Sequence, residues 1–111
     1  MEWIAHICER SKWREAQAAG EYRAPSLAVE GFIHCSRPDQ MLDVVNHYYA
    51  DIPDLVLLWI DPKLLKPTIS WDAVGEDSYP HVYGPINLDA VQGVVDLIPD
   101  ADGVYRHTPE L

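Results

Sequence analysis

The run DLVLLWID (residues 54–61) decides the fold: six apolar residues stand in a row between two aspartates, with Pro53 and Pro62 outside them. A strand with one wet face alternates apolar and polar side chains, whereas an unbroken apolar run of strand length bounded by prolines marks a strand covered on both faces. This strand belongs at the centre of the molecule. It is far too short to cross a bilayer.

Working outward, WIAHIC (3–8) reads as a strand beginning near the terminus, with Ile4, His6 and Cys8 on one face by the period of two. SKWREAQAAG (11–20) then reads as a short helix with Ser11 as N-cap and Gly20 as its stop. In SLAVEGFIHCS (26–36) one helical turn ends at Gly31, and a strand follows with Phe32, His34 and Ser36 on one face and Ile33 and Cys35 on the other. SRPDQMLDVVNHYY (36–49) is the most regular helix, with Met41, Val44, Val45 and Tyr48 at the spacing of a buried stripe. Downstream, TISWDAV and HVYGPI read as strands joined by GEDS, and AVQGVVDLI as the last strand. The tail from about residue 104 to 111 is expected to fray. The order predicts one α+β domain over residues 1–111, a mixed, mostly antiparallel split sheet with two main short helices.

Composition narrows the function classes. The chain has 111 residues, 48% of them hydrophobic, enough for an ordinary single core. Eight Lys and Arg against 18 Asp and Glu give a net charge of −10, which repels polyphosphate and disfavours extended nucleic-acid binding. Cys8 and Cys35 lack CxxC spacing, and the N-terminus lacks the pattern of a secretory leader, so reduced thiols, a cytoplasmic location and no membrane association are expected.

Imidazole exchanges protons near neutral pH and hydrogen-bonds ribose and phosphate oxygens, so His34 is the first candidate for chemistry. The alternative is a strand histidine satisfied by a neighbouring carbonyl. Ser36 shares its face, although the SRPD spacing also suits a helix cap reaching the amide of Asp39. In YPHVYGPIN (79–87), His81 and Tyr83 share a face between two prolines, and either a site or a merely stiff strand accounts for them. Trp13 and Tyr83 could stack on a flat heterocycle. Asp72, on a strand close in sequence to that motif, is a candidate for orienting a ribose hydroxyl, against the ordinary expectation of an exposed aspartate. A zinc site among His6, Cys8, His34, Cys35 and His81 is disfavoured by their spacing, and phosphate loops of the GxGxxG and GxxxxGK[ST] types do not occur.

The ordered set of His6, Trp13, SLAVEGFIHCS, VVNHYY, LVLLWID and YPHVYGPIN resembles the domain of unknown function family 952 across nearly the whole chain. That family is grouped by fold with ADP-ribosyltransferase-like proteins. The resemblance implies a split sheet with a cleft for NAD or an ADP-ribose-like nucleotide, and an enzyme of the transferase type. It implies ribose or phosphate contacts from His34 and His6, stacking by Tyr83, and His81 in the same cleft. Where the family pattern places a glutamate ahead of PHxYGP, this chain carries Asp72, one methylene shorter. Fold analogy fixes no activity by itself, and a noncatalytic interaction module, with both histidine motifs structural, is the rival reading.

Overall fold

The computed structural model describes residues 2–111. Its elements follow the order β1 (Ile4–Glu9), α1 (Arg10–Ala19), β2 (Glu21–Tyr22), α2 (Pro25–Glu30), β3 (Ile33–His34), α3 (Met41–Tyr48), β4 (Leu55–Ile60), β5 (Thr68–Val74), β6 (Asp77–Tyr83), β7 (Ile86–Asn87) and β8 (Val91–Leu97). All named strand ladders are antiparallel, which bears out the mostly antiparallel arrangement and corrects only the expected parallel admixture. They form two three-stranded sheets, β1-β4-β8 and β3-β6-β5, and a small pair, β2-β7.

β4 is central and all six of its residues are buried, as its unbroken apolar run requires. Alternation sends Val56, Leu58 and Ile60 to one core and Leu55, Leu57 and Trp59 to another. Ile4 and Cys8 join the first core, where Ala16 of α1, Tyr22, Ile33 and Val82 pack. Ala5 and Ile7 join the second, under Met41 and Val45 of α3.

The split between the two large sheets is bridged at one point. Ala5 and Ser36 exchange both backbone hydrogen bonds, each 2.8 Å, so the β3 segment lies beside β1. Directly paired residues share a face. Ala5 and Ile7 therefore lie on the same side as Ser36, His34 and Phe32, and His6 lies on the opposite side. This single pairing positions the site.

Helix boundaries follow local chemistry. Gly20 and Gly31 end α1 and α2 with φ of 87° and 89°, values that side chains rarely adopt. Ser11 falls inside α1 rather than capping it, since the helix begins at Arg10. The Ser36 cap is also corrected. The turn before α3 is closed by Gln40, whose side-chain oxygen accepts from the Arg37 amide at 2.8 Å, and Ser36 makes no bond to Asp39. On α3, Met41 and Val45 are buried as the stripe demands, but Tyr48, in the last turn, is exposed.

The tail is docked rather than frayed. Tyr105 is buried in the second core, Asn46 exchanges two 2.8 Å hydrogen bonds with its backbone, and Trp59 Nε1 donates to the Pro109 carbonyl at 3.1 Å. No helix among the described residues is long and apolar enough to cross a membrane.

Candidate functional site

The β3-β6-β5 sheet has two unlike faces. Ile33, Val82 and Pro80 point inward and are buried. The other face carries Phe32, His34 and Ser36 from the β3 segment, Tyr79, His81 and Tyr83 from β6, and Ser70 and Asp72 from β5. The register sets His34 directly opposite His81 and His81 opposite Ser70, one row across three strands. The His34 and His81 rings meet edge to face with centroids 5.2 Å apart.

Each imidazole is held by a carboxylate. His81 Nδ1 lies 2.8 Å from Asp72 Oδ2, and Asp72 also accepts from the Tyr83 hydroxyl at 2.5 Å and from Ser70 Oγ at 2.7 Å. These bonds, Tyr83 first, then Ser70 and His81, pull the Asp72 carboxyl below the usual carboxylate range. An ionised carboxylate only accepts, so Nδ1 of His81 carries the proton and donates. Nε2, the other ring nitrogen, is left without a protein partner among the described residues. Phe32 stacks on the His81 ring at 4.1 Å and 15°, which fixes its plane.

His34 Nε2 lies 2.5 Å from Glu30 Oε2, the last residue of α2. Gly31 reverses the chain after that helix and brings the two together. Glu30 was not legible as a site residue: the one signal is its i, i+4 spacing from His34 across a glycine stop.

Both histidines line a cleft of about 590 Å³ with Glu30, Ser36, Tyr48, Tyr49 and Tyr79. Ser36 is 4% exposed, and its hydroxyl makes no hydrogen bond among the described residues. A more open hollow of about 470 Å³ shares Tyr48 and Tyr79 with the cleft and reaches Asp43 and His47. Cys35 borders the cleft, but burial pushes its thiol up to about 12, so it stays protonated; burial does the same to Cys8.

Of the sequence-derived candidates, His34, His81 and Ser36 are brought together. Asp72 stands behind His81, where it orients the ring instead of facing the cleft. Tyr83 is not among the residues lining the cleft: its hydroxyl donates to Asp72 and its ring leans on Phe32 at 5.3 Å. Trp13 packs from α1 onto the first core, away from the cleft. His6 is also elsewhere, as the Ala5–Ser36 pairing dictates. It is 4% exposed, its Nδ1 lies 2.6 Å from the His34 carbonyl and its Nε2 lies 2.8 Å from the Tyr22 hydroxyl. The carbonyl only accepts, so Nδ1 donates and Nε2 accepts from Tyr22. Burial lowers its pKa to about 4, leaving a neutral ring that anchors the backbone of His34. Among the described residues no group of three or more His, Cys, Asp or Glu could hold a metal ion.

The family model described as "Protein of unknown function (DUF952)" matches residues 7–94, a span that contains both histidine motifs and β4. The chain belongs to the DUF952 family. The chain is similar to the X-ray crystal structure of protein CC0527 from Caulobacter crescentus, with a TM-score of 0.86 at 31% identity, covering 94% of this chain and 93% of that one. The solution NMR structure of CC0527 gives 0.76 at 32% identity, with 94% and 91% covered. No curated protein matches the chain. The DUF952 match stops at residue 94, short of the docked tail.

Proposed function

We propose that the cleft binds a ribose-bearing nucleotide of the NAD or ADP-ribose type, on an ADP-ribosyltransferase-like split sheet, and acts at its glycosidic carbon. The observation that supports this reading most is the cross-strand pair of His34 and His81, each fixed by a carboxylate and both facing a cleft of about 590 Å³. Cavities of this size hold drug-sized ligands, and convergent polar groups on an apolar wall are the usual mark of a binding site.

In this reading His34 and the unpartnered Ser36 hydroxyl hold the ribose hydroxyls. The bond from the ribose carbon to the base nitrogen breaks with its electron pair going to that nitrogen. A water or acceptor hydroxyl forms the new carbon–oxygen bond and gives its proton to His81 Nε2, the nitrogen that Asp72 leaves free to accept. The carboxylate supporting positive charge on the ribose is Glu30, which lines the cleft, in place of Asp72, which does not. Asp72 and Tyr83 are positioning residues.

The rival, a noncatalytic module, draws support from Phe32 on His81 and from the mutual satisfaction of each His–carboxylate pair. An NMR titration with NAD and with ADP-ribose, following the imidazole signals, separates the two. Saturable shifts at His34 and His81 are expected. Flat signals at both residues with both ligands would overturn the nucleotide reading and leave the module.

A further inference from the structure

The electrostatics of the cleft bear on which part of a nucleotide it recognises. No Lys or Arg among the described residues lines it, and its one formal charge is the Glu30 carboxylate, whose Oε1 has no described partner. The adjoining hollow adds Asp43 and no Lys or Arg. Arg37, on the chain segment leading from Ser36 to α3, is committed to Asp39, Asp77 and the Ser78 carbonyl. Three tyrosines, Tyr48, Tyr49 and Tyr79, supply aromatic walls. The whole chain carries a net charge of −10. Phosphate recognition calls for guanidinium or ammonium groups or a helix N-terminus aimed at the anion, and the cleft offers none of the side chains. A carboxylate between aromatic faces suits the opposite charge.

Ser36 and His81, each 4% exposed overall, also line this cleft, and neither the Ser36 hydroxyl nor His81 Nε2 has a hydrogen-bond partner among the described residues, so each is open to a ligand.

Resting on the nucleotide reading, we infer that the cleft selects its ligand by a planar cationic heterocycle joined to ribose, an N-ribosylpyridinium, and leaves any phosphates in solvent. The ring lies among the tyrosines with Glu30 near its positive nitrogen. Breaking the glycosidic bond then discharges the ring, so the group that secures binding also lets the neutral base depart. A nucleotide lacking that ring keeps only its ribose contacts.

The test is calorimetric titration of the intact chain with three probes: nicotinamide riboside, which has the cationic ring and no phosphate; NAD, which has both; and ADP-ribose, which has phosphates and no ring. Riboside and NAD are expected to bind within about threefold of each other and ADP-ribose about tenfold more weakly, the size of a cation–π and carboxylate contribution. Glu30→Gln should weaken the riboside about tenfold and ADP-ribose by clearly less, since ADP-ribose loses only the hold on His34, and added salt should weaken the riboside in the wild type. Binding of ADP-ribose as tight as NAD, with no binding of the riboside, overturns the inference and leaves the nucleotide reading standing. Binding of none of the three overturns both.

Discussion

The two large sheets are built alike, three antiparallel strands each, and joined through one pair of backbone hydrogen bonds between Ala5 and Ser36. Along the face that Ala5 and Ser36 share, their side chains diverge. On the β1-β4-β8 side the face shows Ala5, Ile7, Leu55, Leu57 and Trp59, closed over by α3 and the tail. On the β3-β6-β5 side it shows His34, Ser36, His81, Asp72 and Tyr83, and α3 borders it through Val44 and Tyr48 at the cleft wall without closing over it. An eight-residue helix is about 12 Å long and covers only so much sheet. Where cover ends, the sequence changes from apolar to ionisable, and the cleft begins at that boundary. The covered half carries the stability, and the uncovered half is free to carry the chemistry.

Truncating the covered half should therefore cost most. Leu57→Ala, in a fully buried strand packed on both sides, is expected to lower unfolding free energy by about 2–5 kcal/mol, read from urea denaturation. Tyr105→Ala should cost about 3 kcal/mol, because the ring is 5% exposed against that same core. A loss under about 0.5 kcal/mol for Tyr105→Ala would mean that the tail contributes no cover and that α3 alone closes this face.

How much of this was legible in the sequence differs between the halves for the same reason. β4 announces itself, since burial on both faces leaves no polar residue in it. The alternation of Phe32, His34 and Ser36 against Ile33 and Cys35 is equally local and holds. What alternation does not encode is which strand pairs with which, so the His34–His81 register and the Ala5–Ser36 bridge stay hidden, and with them the fact that His6 lies on the opposite face. Glu30 is lost to a helix end, and Trp13 is a helix residue whose aromatic face the core claims. In the tail, one buried tyrosine among polar neighbours gives no periodic signal, although the backbone bonds to Asn46 and Trp59 fix it.

His6 links the halves, and pH reveals it. Burial holds its pKa at about 4 in the folded chain against 6.5 for a free imidazole. Below pH 6.5 the unfolded chain takes up a proton that the folded chain refuses. The stabilisation is thus complete above about 6.5 and lost as pH falls toward 4, by about 3 kcal/mol. Asp72, Asp77 and Asp102 have lowered pKa values, so their own contribution is lost only as pH falls below the ordinary carboxylate range. Denaturation midpoints between pH 7 and 4 should fall steadily in the wild type and stay nearly flat in His6→Gln. An equal fall in both would move the titration away from His6.

His34 makes the smallest stability prediction and the sharpest contrast between the halves. Its side chain is 49% exposed, and its contact with the Glu30 carboxylate is of the solvent-screened surface kind, which contributes little. What the fold uses from this residue is the backbone carbonyl, the acceptor for His6 Nδ1, and alanine retains it. His34→Ala should therefore leave the unfolding free energy within about 0.5 kcal/mol while removing nucleotide binding, measured by melting and by titration on one preparation. If the variant unfolded like Leu57→Ala, the uncovered face would be scaffold after all, and the division of labour between the two sheets would fail at the residue where it should be clearest.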